Sequence, residues 1–443
     1  MESLKAGAAA TEISPKDSQY LTGYYHALDR YSTGIHDPLL SCALYLSNGQ
    51  NRVMFISNDI INLTKEISQR TRKRISEETG IPVSNIMITA SHTHSGPLTY
   101  DNIKYEHDPN YPKADPAYIR LFEQGIVSAG LTAYRNAQAA QAGLAVADGT
   151  GVGSNRRDPC GPSDPEAPVL MVKTADCKVN IACMMIYSMH PTVLHKDSTL
   201  VTADFPGMTR QFLQQTILGE DCPVLYHTGP SGNQSPRYVA EQKTFAEAKR
   251  LGEMLGRATA RVIPRITYTS SLSLESYQHF IDLPRKQLPT VAQAQALLER
   301  AREKLDSCQR TNQPRAITRT AYSDWTGTEN ALQLARLNEQ GRLTAYYESL
   351  LPAEIQILKV GPWSFVGWPA DPFVEYALSV KDRYGDTFII SHVNTPLGGY
   401  IVTEEAARQG GYEAFSGVSG PDAGKMLVDT TLHVLEPVSV RRA

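Results

Sequence analysis

The stretch Ser91-His92-Thr93-His94-Ser95-Gly96-Pro97 directly follows an apolar, strand-like run, Ile86–Ala90. Two histidines separated by one residue at the end of a strand project to the same face. That arrangement suits one metal ligand beside one group that accepts or donates protons. Taken alone, the pair is equally consistent with two polar residues in a turn. A second apolar run, Asn180–Tyr187, leads into Ser188-Met189-His190-Pro191 and then Val201-Thr202-Ala203-Asp204. Strand carboxyl ends are where α/β sheets gather their sites. His92, His94 and His190 therefore form a candidate facial metal set, able to make water nucleophilic at neutral pH.

The elements that must carry these residues alternate along the chain. Strands are expected at Cys42–Leu46, Val53–Ser57, Ile86–Ala90, Val169–Lys173, Asn180–Tyr187, Val224–His227, Ile355–Val360, Ser364–Val366 and Thr387–Ile390. Helices are expected at Glu66–Thr79, Ala117–Asn136, Phe205–Thr216, Phe245–Arg261, Val291–Ser307 and Phe373–Arg383, where apolar residues recur at three and four positions. The pattern predicts an α/β fold of layered sheets flanked by helices. Residues 286–342, alanine-rich and then charged, read as a helical excursion on one catalytic domain spanning 1–443.

Composition narrows the partners. The 443 residues carry 43 basic and 46 acidic side chains, a net charge of −3, so no basic excess is available to neutralise a phosphate backbone. No nucleic-acid partner is expected, and a small-molecule or lipid-like substrate fits better. No apolar run reaches the about 18 residues of a transmembrane helix, and the start Met1-Glu2-Ser3-Leu4-Lys5 lacks a signal-peptide core. A soluble chain is expected, cytoplasmic, or periplasmic or secreted after signal removal; the oligomeric state stays open. Cys42, Cys160, Cys177, Cys183, Cys222 and Cys308 show neither zinc-knuckle nor disulfide spacing. Gly149-Thr150-Gly151-Val152-Gly153-Ser154 and Gly420–Lys425 lack the spacing of phosphate loops.

Five segments together resemble the neutral, non-lysosomal ceramidase family in order and spacing: Ala6–Pro15, Gly34-Ile35-His36-Asp37-Pro38-Leu39, Ser91–Pro97, Ser154-Asn155-Arg156-Arg157 and Gly232-Asn233-Gln234-Ser235-Pro236. The resemblance runs from Ala6 to about Phe415 and implies a zinc-dependent amidase that cleaves an N-acyl bond. It implies that His92, His190, Asp371 and Tyr400 hold Zn2+. His94 would then serve as the acid/base histidine, and Arg156 and Tyr412 would sit at the reacting carbonyl. Tyr400 and Tyr412 stand twelve residues apart, the separation the family shows. The chain is similar to shorter bacterial relatives and is expected to lack the immunoglobulin-like domain that follows in full-length members.

Two positions depart from the family pattern. Pro369-Ala370-Asp371 replaces a Pro-Gly-Glu turn, giving a carboxylate one methylene shorter; Glu375 is a weaker substitute. Gly232-Asn233-Gln234-Ser235-Pro236 keeps the family's serine but loses its acid, leaving Ser235 as a substrate contact or a turn residue. Asp59 could orient a ligand histidine, and His36-Asp37 fixes a loop. His26, His107, His195, His227, His279, His392 and His433 have no spacing that singles them out, His195 being the least secure of these dismissals. The polar, aromatic stretch Leu98–Asp108 points to a polar or sugar-like ligand as readily as to a long-chain lipid. Three functions are therefore open: an amidase; a metal-dependent esterase, lactonase or glycoside-cleaving hydrolase; and a non-catalytic binding protein on the same fold.

Overall fold

The structure, a computed structural model, describes residues 3–440 other than 25, 107, 395 and 396, with side chains as far as Glu436. An eight-stranded sheet contains β1 (Lys5–Glu12), β2 (Leu40–Ser47), β3 (Arg52–Asn58), β4 (Ile86–Ala90), β5 (Gln138–Asp148), β6 (Glu166–Thr174), β7 (Asn180–Tyr187) and β8 (Val224–Thr228). Its spatial order is β8-β7-β6-β5-β1-β2-β3-β4. A second, four-stranded sheet runs in order through β9 (Leu274–Ile281), β10 (Ala353–Val360), β11 (Trp363–Gly367) and β12 (Thr387–Ile390).

The two sheets pack face to face over a shared core, with Leu44, Phe55, Leu170 and Met184 on one side and Leu358, Phe365, Phe388 and Ile390 on the other. Phe55 and Phe365 meet edge to face across it, centroids 5.3 Å apart. The outer face of the first sheet is covered by α1 (Lys65–Thr79) and α2 (Pro116–Arg135) at one end, and by α3 (Phe205–Leu213) and α4 (Phe245–Val262) at the other. On the outer face of the second sheet lies α8 (Val374–Lys381), joined there by α10 (Asp422–Val440). Strands covered on both faces must be apolar nearly throughout. All five residues of β4 and seven of the eight in β7 are buried, which is why both were readable as uninterrupted runs. The α/β layering expected from the sequence is borne out.

The halves of the first sheet are joined by only the pairs Lys5↔Ala139 and Ala6↔Gln138. Twist accumulating at about 20–25° per strand brings the outermost strands, β4 and β8, together. Thr89 Oγ1 lies 2.7 Å from His227 Nδ1, and Thr228 Oγ1 donates to the Ser91 carbonyl at 2.6 Å. The loop after β12 is sewn onto both ends: Ser391 N–H donates to Thr228 O at 2.8 Å, and Asn394 N–H to Ile88 O at 2.9 Å. The exits of β4, β8 and β12 thus converge. Residues 286–342 hold α5 (Val291–Arg310) and α6 (Arg315–Glu339), and α7 (Arg342–Leu350) begins at their end. Here α6 packs on the short α9 (Tyr412–Ser416), with Gly327 so close that a Cβ would stand 2.7 Å from Tyr412 Cα.

Candidate metal centre and its two cavities

Each histidine picked out by its place after a strand arrives at this convergence. His92, immediately beyond β4, has φ 65°, a left-handed conformation unfavourable for a side chain with a Cβ. His392, beyond β12, has φ 56°. Strained backbone of this kind persists only where the surroundings over-determine it, and it clusters at functional sites.

The ring orientations are fixed by backbone carbonyls. His92 Nδ1 lies 2.7 Å from Ile61 O, His94 Nδ1 3.1 Å from Gly23 O, and His190 Nδ1 2.7 Å from Ser231 O. A carbonyl only accepts, so each Nδ1 carries the proton and each Nε2 presents a lone pair. Burial keeps the rings neutral: it lowers His92 to about 4, and His94, His190 and His392 well below the usual imidazole range. Nearby Arg156 adds to the effect on the first three.

Asp371 reaches the same point. Its residue pairs in parallel register with Tyr400, and Ser231 Oγ donates to its Oδ1 at 3.1 Å. Oδ2 is 3.3 Å from His190 Nε2, and Oδ1 is 3.9 Å from His392 Nε2. Burial pushes this carboxyl up to about 7, against the pull of Arg156. Ligand atoms of His92, His94 and His190 lie within 4.8 Å of one another, as do those of His92, Asp371 and His392.

The donor set fits a divalent cation. His94 Nε2, His190 Nε2, His392 Nε2 and Asp371 Oδ2 are all buried without a hydrogen-bond partner. An unsatisfied buried polar atom costs about 1–3 kcal/mol, so four in one place approach the whole net stability of a domain, about 5–15 kcal/mol. Neutral imidazoles with a carboxylate are also the ligands that zinc and similar ions take. His392, set aside in the sequence reading, belongs to this cluster. It stands two residues beyond β12, as His92 stands two beyond β4, and the stitching of the β12 exit onto β4 and β8 brings it to the cluster.

The other expected residues surround the cluster. Arg156 is positioned by the pairing of Ser154 and Asn155 with Ser235 and Gln234, by its N–H to Asn233 O at 2.7 Å, and by its Nη2 to Gly232 O at 2.6 Å. Its guanidinium lies 5.1 Å from the Tyr400 ring centroid and 5.9 Å from that of Tyr412, with Nε 2.8 Å from Glu413 Oε1. The Tyr400 ring is 5.5 Å from Tyr412 and 6.1 Å from His190, and burial raises its phenol to about 12. Ser235 is buried and accepts the Arg237 N–H at 3.2 Å, as a turn residue does, while also lining a cavity with Arg156.

Several alternatives fall away. Glu375 accepts from Asn233 Nδ2 at 2.7 Å and takes no part in the cluster. Asp59 pairs with Arg210 at 2.7 Å rather than orienting His92, whose Nδ1 is taken by Ile61. Asp204 caps α3, with φ 59°, accepting N–H groups of Leu194 and Phe205. Asp37 holds its loop by accepting from Thr202 Oγ1 and from the Ala203 N–H. His195 lies in a neighbouring cavity, its ring 4.4 Å from Tyr24. His107 is outside the described residues.

Two cavities meet at the cluster. The larger, of about 240 Å³, is lined by His92, Asp371, His392 and Tyr400 and has an apolar wall from Ile61, Leu63, Leu334, Leu350, Leu397 and Val418. The polar stretch at 100–104 supplies only its other wall, so the polarity of Leu98–Asp108 does not describe the whole cavity. The smaller, of about 70 Å³, is lined by Arg156, Ser235, Arg237, His195 and Arg319. His94, Tyr400 and Tyr412 border both. Among the described residues no helix is long and apolar enough to cross a membrane.

Layered sheets flanked by helices also describe two solved ceramidases that the chain resembles in fold. One is a ceramidase complexed with C2, at TM-score 0.74 and 15% identity, covering 99% of this chain and 76% of that one. The other is the neutral ceramidase of Pseudomonas aeruginosa, at TM-score 0.74 and 16% identity, covering 99% of this chain and 75% of that one. None of the curated proteins matches by sequence. The family model for neutral/alkaline non-lysosomal ceramidase, N-terminal, matches residues 6–240, more than half of the chain. The protein belongs to that family and is a hydrolase.

Proposed function

We propose that the protein is a zinc-dependent amidohydrolase that cleaves the linear N-acyl bond of a small molecule or lipid, with its catalytic domain spanning 1–443 and including the helical excursion at 286–342. The observation that carries this reading is the convergence of the unpartnered Nε2 atoms of His190 and His392 and an unpartnered carboxylate oxygen of Asp371 in one buried place, with the unpartnered Nε2 of His94 beside them for proton transfer. His92, His190, Asp371 and Tyr400 would hold the ion, and His392 would join them. When bound, Zn2+ supplies Lewis acidity that brings the pKa of water toward neutrality.

The remaining residues supply orientation and proton transfer. Arg156, kept charged by Glu413, stands with Tyr412 beside Tyr400 and stabilises negative charge developing on the substrate carbonyl oxygen. His94 is neutral at physiological pH, so it first accepts the proton of the attacking water. It then delivers that proton to the leaving amine, yielding a carboxylic acid and an amine. Its ring borders both cavities, where acyl and amine portions of one substrate would part. Ser235, opening on the smaller cavity, contacts the amine portion. The apolar wall of the larger cavity favours an acyl chain over a sugar.

The test is hydrolysis of a matched panel of N-acyl amides, acyl esters, lactones and glycosides by the zinc-loaded protein. Amide turnover that disappears in His94→Ala supports the reading. Turnover of esters, lactones or glycosides without amides transfers the assignment to the esterase, lactonase or glycosidase class. No turnover at all, with retained ligand binding, transfers it to a binding protein.

A further inference from the structure

The smaller cavity carries more positive charge than the reaction at the cluster requires. Arg156 is neutralised by Glu413, which also pairs with Arg157 at 2.9 Å. Arg237 and Arg319 line the same cavity, and neither forms an ion pair among the described residues. Arg237 uses Nη1 and Nη2 on neutral partners, donating to Arg156 O, Thr320 Oγ1 and Ser323 Oγ, each at 3.2 Å. Its Nε is buried and unpartnered. The Arg319 side chain donates no hydrogen bond among the described residues, and, half-buried, it lines the cavity one turn before Ser323 on α6.

The nearby acids are already engaged. Asp324 lies 3.6 Å from Lys304 Nζ and accepts the Tyr412 N–H at 3.2 Å, and Glu329 pairs with His26. Burial, with Arg319 and Arg156 nearby, lowers Arg237 to about 10, and burial, with Arg315 and Arg156 nearby, also lowers Arg319. Two cations facing one small, partly dry space without a counterion constitute a site for an anion. About 70 Å³ admits a group of carboxylate or phosphate size with little solvent around it.

We infer that Arg237 and Arg319 form a subsite for an anionic oxyacid group, carboxylate, sulfonate or phosphate, on the amine side of the substrate. The substrate class is then an N-acylated amine bearing a negative charge, its acyl chain in the larger cavity. The inference rests on the amidohydrolase reading for the identity of the scissile bond, while the subsite itself is tested by binding alone.

The experiment uses non-hydrolysable sulfonamides with the zinc-loaded full chain: the N-octylsulfonyl derivatives of glycine, taurine, ethanolamine phosphate and neutral ethanolamine. Titration calorimetry measures each on wild type, Arg319→Gln and Arg319→Lys. At least one anionic probe is expected to bind about tenfold or more tighter than the neutral one, consistent with charge-assisted hydrogen bonds. That ratio is expected to collapse in Arg319→Gln and largely to survive in Arg319→Lys, and the tightest anion identifies the head group. Equal binding of neutral and anionic probes overturns the subsite. So does an anionic preference that persists in Arg319→Gln, because the anion then sits on the metal. Absence of amide hydrolysis overturns the amidohydrolase reading and leaves these binding results standing.

Discussion

The imidazole of His392 lies face to face with that of His92, centroids 4.0 Å apart and planes 9° from parallel, and its Nε2 points toward Asp371. This ring brings a further nitrogen to the side of the cluster that the short carboxylate of Asp371 occupies. His392→Ala is therefore expected to weaken zinc binding by about tenfold or more, within the range seen when a group supporting a metal site is removed. Chelator competition measures it directly. Unchanged affinity would show that His392 only packs against His92.

Asp371→Asn is expected to abolish stoichiometric zinc binding and with it hydrolysis, because the amide keeps the shape of the carboxylate and loses its charge. The metal-free protein should tolerate the change, since a buried carboxyl opposed chiefly by desolvation is exchanged for a neutral group. Thermal unfolding with and without chelator distinguishes the cases. The account requires a large loss of zinc-dependent stabilisation in the variant and little loss in the metal-free state.

Glu413 is buried between Arg156 and Arg157. Glu413→Gln leaves guanidinium charge uncompensated in the interior, a change that costs about 3–5 kcal/mol when a buried pair is broken from one side. Denaturant unfolding should show a loss of that order. Any folded fraction should show a reduced kcat, because Arg156 would no longer be held against Tyr400 and Tyr412.

His227 provides a pH test away from the cluster. It lies on β8 with its buried ring against Thr89 of β4, and burial alone lowers it to about 3. Between the ordinary imidazole value and that one, the unfolded chain binds a proton that the native protein excludes. Stability therefore falls as pH drops below about 6.5, at up to about 1.4 kcal/mol per pH unit from this group. His227→Gln should reduce the slope between pH 6.5 and 5 by about one proton. An unchanged slope would show that His227 is protonated in the fold.

The legible elements were those whose local pattern and tertiary fate agree. The apolar runs of β4, β7 and β12 coincide with their observed limits because burial on both faces demands such runs. By contrast β5, Gln-Ala-Ala-Gln-Ala-Gly-Leu-Ala-Val-Ala-Asp, is rich in alanine and weak in β propensity. It is a strand because it pairs with β6 along nine residues, a decision made by the following strand rather than by its own sequence. The same holds for β9, whose polar sequence lies at the edge of its sheet against β10. In the site, His92 and His190 were readable because each follows a strand recognisable by itself. His392 follows β12 at the same offset by which His92 follows β4, so the strand-exit signal was there too; what was not legible is that hydrogen bonds from its loop to Thr228 and Ile88 deliver this ring to the same place. Arg319 was hidden in a helix that reads as a charged surface segment until α6 is seen to cover the smaller cavity.

The most direct test of the central claim is elemental analysis of the purified, unchelated full chain beside a His92→Ala/His190→Ala variant. About one zinc per wild-type chain and essentially none in the variant is the expected result. Wild-type protein that takes up no transition metal after reconstitution, or a variant that retains it, would contradict the account.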